Sequence, residues 1–149
     1  MRRKATVKHF SELSVEELYS ILKARVEVFV VEQTCPYQEL DGKDRNAYHL
    51  WMEDEEGISA YARVLGPGVS FDDVAIGRVI TLRRGKGLGL EIMKEAIQVA
   101  REKFEAKAIS IEAQLYARGF YEKLGFRKCS DPFDEDGIPH IVMRLEIEK

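Results

Sequence analysis

The apolar and polar positions of the chain fall into stretches with a two-residue period and stretches with a 3.6-residue period. Residues 5–10, ATVKHF, alternate apolar and polar side chains, the signature of a strand with one buried face. From Ser14 the period changes. Leu18, Ile21, Leu22, Val26 and Phe29 recur at helical spacing and form one apolar stripe that runs to about Val30. Ser14 and Glu17 have the spacing of a capping box, in which the hydroxyl accepts from the N3 amide and the carboxylate reaches back to the cap. Residues 31–46, VEQTCPYQELDGKDRN, lose all periodicity, and Pro36 with Asp41-Gly42 marks them as a long surface loop. Residues 47–53 (AYHLWME), 58–66 (ISAYARVLG) and 74–82 (VAIGRVITL) are rich in strand formers. The turns between them, one acidic and one built on Gly66-Pro67-Gly68, predict three antiparallel neighbours.

A second helical period takes in Leu88, Ile92, Ala96, Val99, Ala100 and Phe104, with Glu91, Lys94, Glu95, Arg101 and Glu102 on the outer face. AISIEA (108–113) reads as the next strand. A shorter helix from about Tyr116 to Leu124 stops at Gly125, a residue suited to the left-handed cap. On that helix Tyr116 and Tyr121, five apart, are expected to face different ways. FRKCS, an acidic turn DPFDEDGIP and a closing strand HIVMRLEI complete the order β-α-β-β-β-α-β-α-β-β, a mixed α/β arrangement with helices flanking a central sheet. At 149 residues and 45% hydrophobic content, the chain is expected to be one domain, 1–149, with one core.

Charge and cysteine usage narrow the classes. A net charge of −3 without a basic stripe argues against nucleic acid. The basic start, MRRKATV, is followed by no apolar region of signal-peptide length, and no run approaches bilayer length, so the expected location is cytoplasmic, away from any membrane. Cys35 and Cys129 have no metal-ligand spacing and are expected to be reduced and structural. His9, His49 and His140 are scattered, and no metal is expected.

One segment calls for chemistry. RRGKGLGLEIM (83–93) puts three glycines and the cations Arg83, Arg84 and Lys86 where a strand passes into a helix. Unpaired N–H groups and the positive end of the helix dipole attract an anion there, and glycines let it approach the backbone. Several cations above those amides suit a diphosphate. A P-loop would need Lys-Ser or Lys-Thr after its last glycine, and a Rossmann fingerprint would need glycine at 90 or 92, which are Leu90 and Ile92. What remains is Arg84-x-x-Gly87-x-Gly89.

That pattern resembles the pyrophosphate-wrapping R/Q-x-x-G-x-G/A motif of the GNAT acetyltransferases, and FYEKLGF (120–126) resembles the FYxxxGF segment of the same family. RVEVFVVEQTCPYQELDGKD and DEDGIPHI are similar to segments specific to its ElaA-like branch, and the likeness spans nearly the whole chain. The resemblance implies a GNAT fold with a mostly antiparallel sheet and an acetyl-CoA-dependent N-acetyltransferase acting by direct attack on the primary amine of a small molecule or peptide. The alternative it leaves is a non-catalytic acyl-CoA-binding module. Amides from Gly85 and Lys86 through Gly87, Leu88, Gly89 and Leu90 would cradle the pyrophosphate, with Arg84 and Lys86 as charge partners. The backbone of Ile80, Thr81 and Leu82 would pair with the pantetheine arm, one amide polarising the thioester carbonyl.

The same resemblance gives Tyr121 the role of proton donor to the departing thiolate, and places Glu112 where the sheet splays open, as general base. His140, which titrates in the right range, is the other candidate base. Acceptor recognition would draw on Glu32, Gln33, Tyr37, Glu39 and Asp41 of the long loop and on Asp134, Glu135 and Asp136, which together attract a cationic amine. A free sheet edge at the last strands would be the place for a homodimer to form.

Overall fold

The computed structural model describes residues 5–33 and 39–147, so Cys35, Pro36 and Tyr37 lie outside the described residues. Strand β1 (Thr6–His9) is followed by a single 3-10 turn at Phe10–Glu12. The capping box forms: Glu17 N donates to Ser14 Oγ at 3.0 Å, Ser14 N donates to Glu17 Oε1 at 2.9 Å, and helix α1 (Val15–Val26) begins there. Beyond Val26 the helix continues through a π-helical turn, Glu27–Glu32, with Gln33 N donating to Val28 O at 3.2 Å. Val31 and Glu32, expected in the loop, are therefore helical. Pro36 restricts only its immediate neighbour, and packing of Val28 and Phe29 under the sheet carries the helix on.

Strands β2 (Tyr48–Asp54), β3 (Gly57–Leu65) and β4 (Val74–Thr81) are antiparallel neighbours, as their turns predict. After helix α2 (Leu88–Phe104), strand β5 (Ala108–Gln114) lies parallel to β4. A 3-10 turn at Leu115–Ala117 precedes helix α3 (Arg118–Lys123), and strands β6 (Arg127–Lys128), β7 (Phe133–Glu135) and β8 (Ile138–Glu146) close the chain. The sheet order is β1-β2-β3-β4-β5-β8-β6, with β7 also on β8. Two expectations change here. The acidic segment expected as a turn carries β7, whose Phe133, Asp134 and Glu135 pair with His140, Pro139 and Ile138. The last long strand is no free edge, because β5 flanks it on one side and β6 and β7 on the other.

The two faces are covered unequally. On one, the buried side of α2 (Leu88, Ile92, Met93, Ala96) packs on Leu50, Ala62, Ile76, Ile111 and Met143. On the other, Ile21, Ala24 and Val28 pack on Trp51, Tyr61 and Ile80, so α1 covers only the half formed by β2, β3 and β4. The uncovered half shows polar side chains: register pairs Gln114 with His140 and Glu112 with Val142. Among the described residues, no helix is long and apolar enough to cross a membrane.

Between α1 and the sheet lies a buried ionic network. Arg25 is fully buried; its Nε donates to Glu39 Oε2 at 2.6 Å and its Nη1 to Asp44 Oδ1 at 2.7 Å. Arg63 donates to Asp44 Oδ1 and Asp41 Oδ2, each at 2.9 Å. Arg78 donates to Glu39 Oε2 at 3.0 Å and Asp41 Oδ2 at 3.3 Å. Burial works to raise the Asp41 carboxyl, but hydrogen bonds from Arg63 and the Lys43 N–H, with the charges of Arg63 and Arg78, outweigh it and bring it down to about 2. Asp44 is lowered in the same way by Arg25 and Arg63, against its burial. Both ring nitrogens of His49 are engaged in this setting. Its Nε2 donates to Asp44 O at 3.0 Å, so its Nδ1 accepts from the Tyr61 hydroxyl at 2.6 Å, and burial keeps the ring neutral.

Removing one partner of a buried pair strands the other charge. Asp44→Ala is therefore expected to cost about 3–5 kcal/mol, read as a shift in urea unfolding. Depressed carboxyls stabilise the fold above their unfolded value of 3.8, and that share is lost as pH falls toward about 2. The urea midpoint of Asp41→Asn is expected to fall less steeply between pH 4 and pH 2 than that of the parent; an equal slope would contradict the ion-pair assignment.

Candidate active site

The site begins where the sheet stops being a sheet. β4 and β5 pair only at Val74 with Ile109 and Ala75 with Ser110, then separate. On the other side of β4 the register against β3 slips by one residue, from Arg63 opposite Gly77 to Tyr61 opposite Ile80, and Arg78 in the bulge has φ 52°. A non-glycine residue in that conformation costs about 1–3 kcal/mol and persists only where its surroundings hold it, here through Glu39 and Asp41. The result is a wedge-shaped cleft of about 740 Å³. Its walls are Gly77–Thr81 of β4, Ile111, Glu112 and Gln114 of β5, the π-turn residues Val28, Phe29 and Glu32, and Gln33 just after them. Gln114 Nε2 donates to Gln33 Oε1 at 3.3 Å and ties the two walls together.

At one end the open edge of β4 leads to the glycine turn. Leu82 N donates to Ser59 O at 2.8 Å, and Ile80, two residues earlier, faces the same way onto Tyr61. Of the three residues expected to offer backbone groups, Thr81 is thus the one turned to the cleft. Gly85 (φ 77°) and Gly87 (φ 71°) are left-handed, and a Cβ on either would meet nothing within 4 Å. A Cβ on Gly89 would instead rest in ordinary contact with Phe120 and Thr81. Gly87 caps α2 without a side chain, so among the described residues no side-chain cap meets the first-turn N–H groups of Leu88, Gly89 and Leu90. An open glycine turn before uncapped amides fits a diphosphate. Ile80, Thr81 and Arg84 line the cleft, whereas Leu82 and Gly85 to Leu90 lie beyond its end.

The three cations part company. Arg84 donates to Thr81 O at 3.2 Å and pairs with Glu32 at 2.9 Å. Lys86 is exposed. Arg83, expected beside them, turns to the β2–β3 turn, with Nε 2.9 Å from both Asp54 and Glu56. The two acids of that turn claim it, a pairing that local sequence spacing does not reveal.

At the other end the cleft gathers Tyr116, Tyr121, Glu112, Glu135, Asp136 and His140. Tyr121 packs edge-on to Phe120 (5.1 Å) and Phe126 (5.9 Å), and burial, helped by nearby Tyr116, pushes its phenol up to about 12. Tyr116 does not face elsewhere: the 3-10 turn at Leu115–Ala117 breaks the helical count and brings both tyrosines to one cleft. His140 Nδ1 donates to Ile138 O at 2.7 Å, and its Nε2 lies 3.6 Å from Glu135 Oε2. The Glu112 carboxyl is raised by loss of hydration and by the charge and hydrogen bond of Glu135, and His140 and Lys43 partly offset this.

Of the acids expected to attract an acceptor, Glu39 and Asp41 are engaged in the ionic network, Glu32 is paired with Arg84, and Asp134 lies outside the cleft lining. Nothing in the periodicity pointed to Glu135 as a partner of Glu112, because β7 was hidden in an acidic run. Arg25 did leave a signal: it falls on the apolar stripe, four after Ile21 and four before Phe29, where a charge needs a buried partner. Cys129 is exposed and free, and no group of three metal-ligating side chains exists among the described residues.

A bulged strand parting from a parallel neighbour, with a glycine-capped helix at the end of the opening, is the architecture of an acyltransferase. The family model for the acetyltransferase (GNAT) domain matches residues 8–147, and the chain belongs to that family. Protein ElaA of Escherichia coli K12 is 41% identical over 145 residues, 93% of this chain and 94% of that one. The crystal structure of an acyl-CoA N-acyltransferase from Pseudomonas aeruginosa is 39% identical and superposes with a TM-score of 0.89 over 95% of this chain and 99% of that one. That of E. coli ElaA is 36% identical, with a TM-score of 0.89 over 97% and 99%.

Glu135→Gln removes the like charge beside Glu112, so the Glu112 carboxyl is expected to titrate at lower pH in that variant, read by carbon NMR of the carboxyl. An unmoved titration would show that the two groups do not interact.

Proposed function

We propose that this protein moves an acetyl group from acetyl-CoA to the primary amine of a small molecule or peptide by direct attack. One observation carries the reading: the open edge of β4 runs from the glycine-capped end of α2 to a pocket holding Tyr121, Glu112, Glu135 and His140. An extended thioester laid along Thr81 would have its phosphates at one end of that path and its carbonyl at the other.

Acetyl-CoA supplies the acyl group as a thioester, whose carbonyl carbon an unprotonated amine can attack. The N–H groups of Gly85 to Leu90, with Arg84 and Lys86, hold the diphosphate, and the backbone of β4 beside the bulge donates to the carbonyl oxygen. An acceptor amine arrives as an ammonium and must lose a proton first. Glu112 and Glu135 attract it, and Glu112 accepts the proton directly or passes it to His140 Nε2. Tyr121, its phenol pushed up to about 12, stays protonated around neutral pH and so donates a hydrogen bond to the sulfur as it departs. A thiol of ordinary acidity is a stronger acid than this phenol, so Tyr121 stabilises the thiolate more than it surrenders its proton.

A calorimetric titration of acetyl-CoA beside a free-thiol assay over a panel of amines tests the reading. Binding with thiol release from at least one amine is expected; binding with no release from any amine or peptide would leave the non-catalytic module. Gly87→Glu, which sets a strained residue and a negative charge in the turn, is expected to weaken acetyl-CoA by about a hundredfold or more, and unchanged affinity would remove the diphosphate assignment. Tyr121→Phe is expected to lower kcat by about 10²-fold or more with little change in acetyl-CoA affinity. Because the phenol keeps its proton until about pH 12, that loss is expected to persist on both sides of the ordinary thiol range. A variant equal to the parent at every pH would rule the role out.

A further inference from the structure

The charges on the cleft wall do not all cancel. Arg63 and Arg78 are bound to the acids of the buried network, and Arg84 to Glu32. Lys43 also lines the cleft, and among the described residues it has no carboxylate within ion-pair distance. Its Nζ donates to Ser70 Oγ at 2.8 Å. An ammonium has three hydrogens, and this bond uses one. Ser70 Oγ accepts there, so its own hydrogen points elsewhere. Lys43 and Ser70 thus present neighbouring N–H and O–H donors and a net positive charge, a receptor for one carboxylate. The same cleft is lined by Glu112 and Glu135, carboxylates suited to an ammonium, with His140 beside them, and Lys43 is near enough for its charge to act on Glu112.

We infer that the acceptor is a small zwitterion, a primary amine that also bears a carboxylate, held with its amine at Glu112, Glu135 and His140 and its carboxylate at Lys43 and Ser70. This rests on the acetyl-transfer reading above. A simple polyamine fits poorly, because its second ammonium would meet Lys43. The cleft of about 740 Å³ must also take the acyl arm, which leaves room for a molecule of amino-acid size.

The test is acetyl-CoA turnover by the full chain with the free L-amino acids, each beside its own amide, which keeps the amine and lacks the carboxylate. The amide's amine is the less basic and more often unprotonated, so the comparison is biased against the inference. At least one amino acid is expected to exceed its amide in kcat/KM by about tenfold or more, mainly through KM. Lys43→Met should bring that ratio close to one, and Lys43→Arg should keep it, with thermal melts of both matching the parent. Equal turnover of acid and amide, survival of the ratio in Lys43→Met, or bound acetyl-CoA with no amino acid accepted would each overturn the inference. Failure to bind acetyl-CoA would instead defeat the reading beneath it.

Discussion

β4 and β5 are parallel neighbours that hold together for two residue pairs, and everything the cleft offers follows from their parting. A parallel pair that continued would satisfy its own backbone groups and leave no room for a ligand. The closed end is clasped by Asp73, whose Oδ2 accepts from Ser110 Oγ on β5 and from Arg144 Nε on β8, both at 2.9 Å. Beyond that clasp the bulge at Arg78 turns β4 aside, while β5 follows β8 along its full length from Ala108 to Gln114. The N–H of Thr81 is then left facing an opening, while its C=O accepts from Arg84 Nε, and an extended ligand can pair there in place of a strand.

Holding β4 in that bent course requires a partner for Arg78, and the ionic network supplies one at a cost. Taking six charged side chains out of water is unfavourable, and pairing repays it only where each group finds good partners. Here Asp44 accepts from both Arg25 and Arg63, and Glu39 from both Arg25 and Arg78. The network thereby joins α1, residues 39–44, β3 and β4 into one support for the bulge. Residues that look like acceptor-binding acids in the sequence, Glu39 and Asp41, are part of the wall's foundation.

Those misplacements mark the limit of one-dimensional reading. Helices and long strands were legible because periodicity is local: the capping box at Ser14, the stripe of α2 and the alternation of β5 each lie within one segment. The glycine turn was legible for the same reason, since backbone conformation and helix polarity at Gly87 depend on adjacent residues. What depended on distant segments was hidden. Arg83 could be read beside Arg84 but not against Asp54, 29 positions earlier. Glu112 could be placed at a splay but not beside Glu135, which reaches it through a short hairpin inside an acidic run. Tyr116 was misdirected by a helical count that assumed α-helix where the chain makes a 3-10 turn.

The two ends of the cleft differ in how firmly their charges are held. Arg84 and Glu32 are both well exposed, 67% and 46%, and a pair of that kind is worth under about 1 kcal/mol. On the proposed reading a diphosphate, which carries more charge than one carboxylate, would also meet the amides of α2, so Arg84 could exchange Glu32 for it at little cost. Arg63 and Arg78 have no such freedom, since withdrawing either would leave Glu39, Asp41 and Asp44 with one cation too few in a largely buried network. The cations of the network are therefore fixed and neutralised, and the charges that remain on the cleft lining include Lys43 and the carboxylates of Glu112, Glu135 and Asp136. On the proposed reading, a cleft so divided is loose where it would hold the diphosphate and rigid where it would select among acceptors.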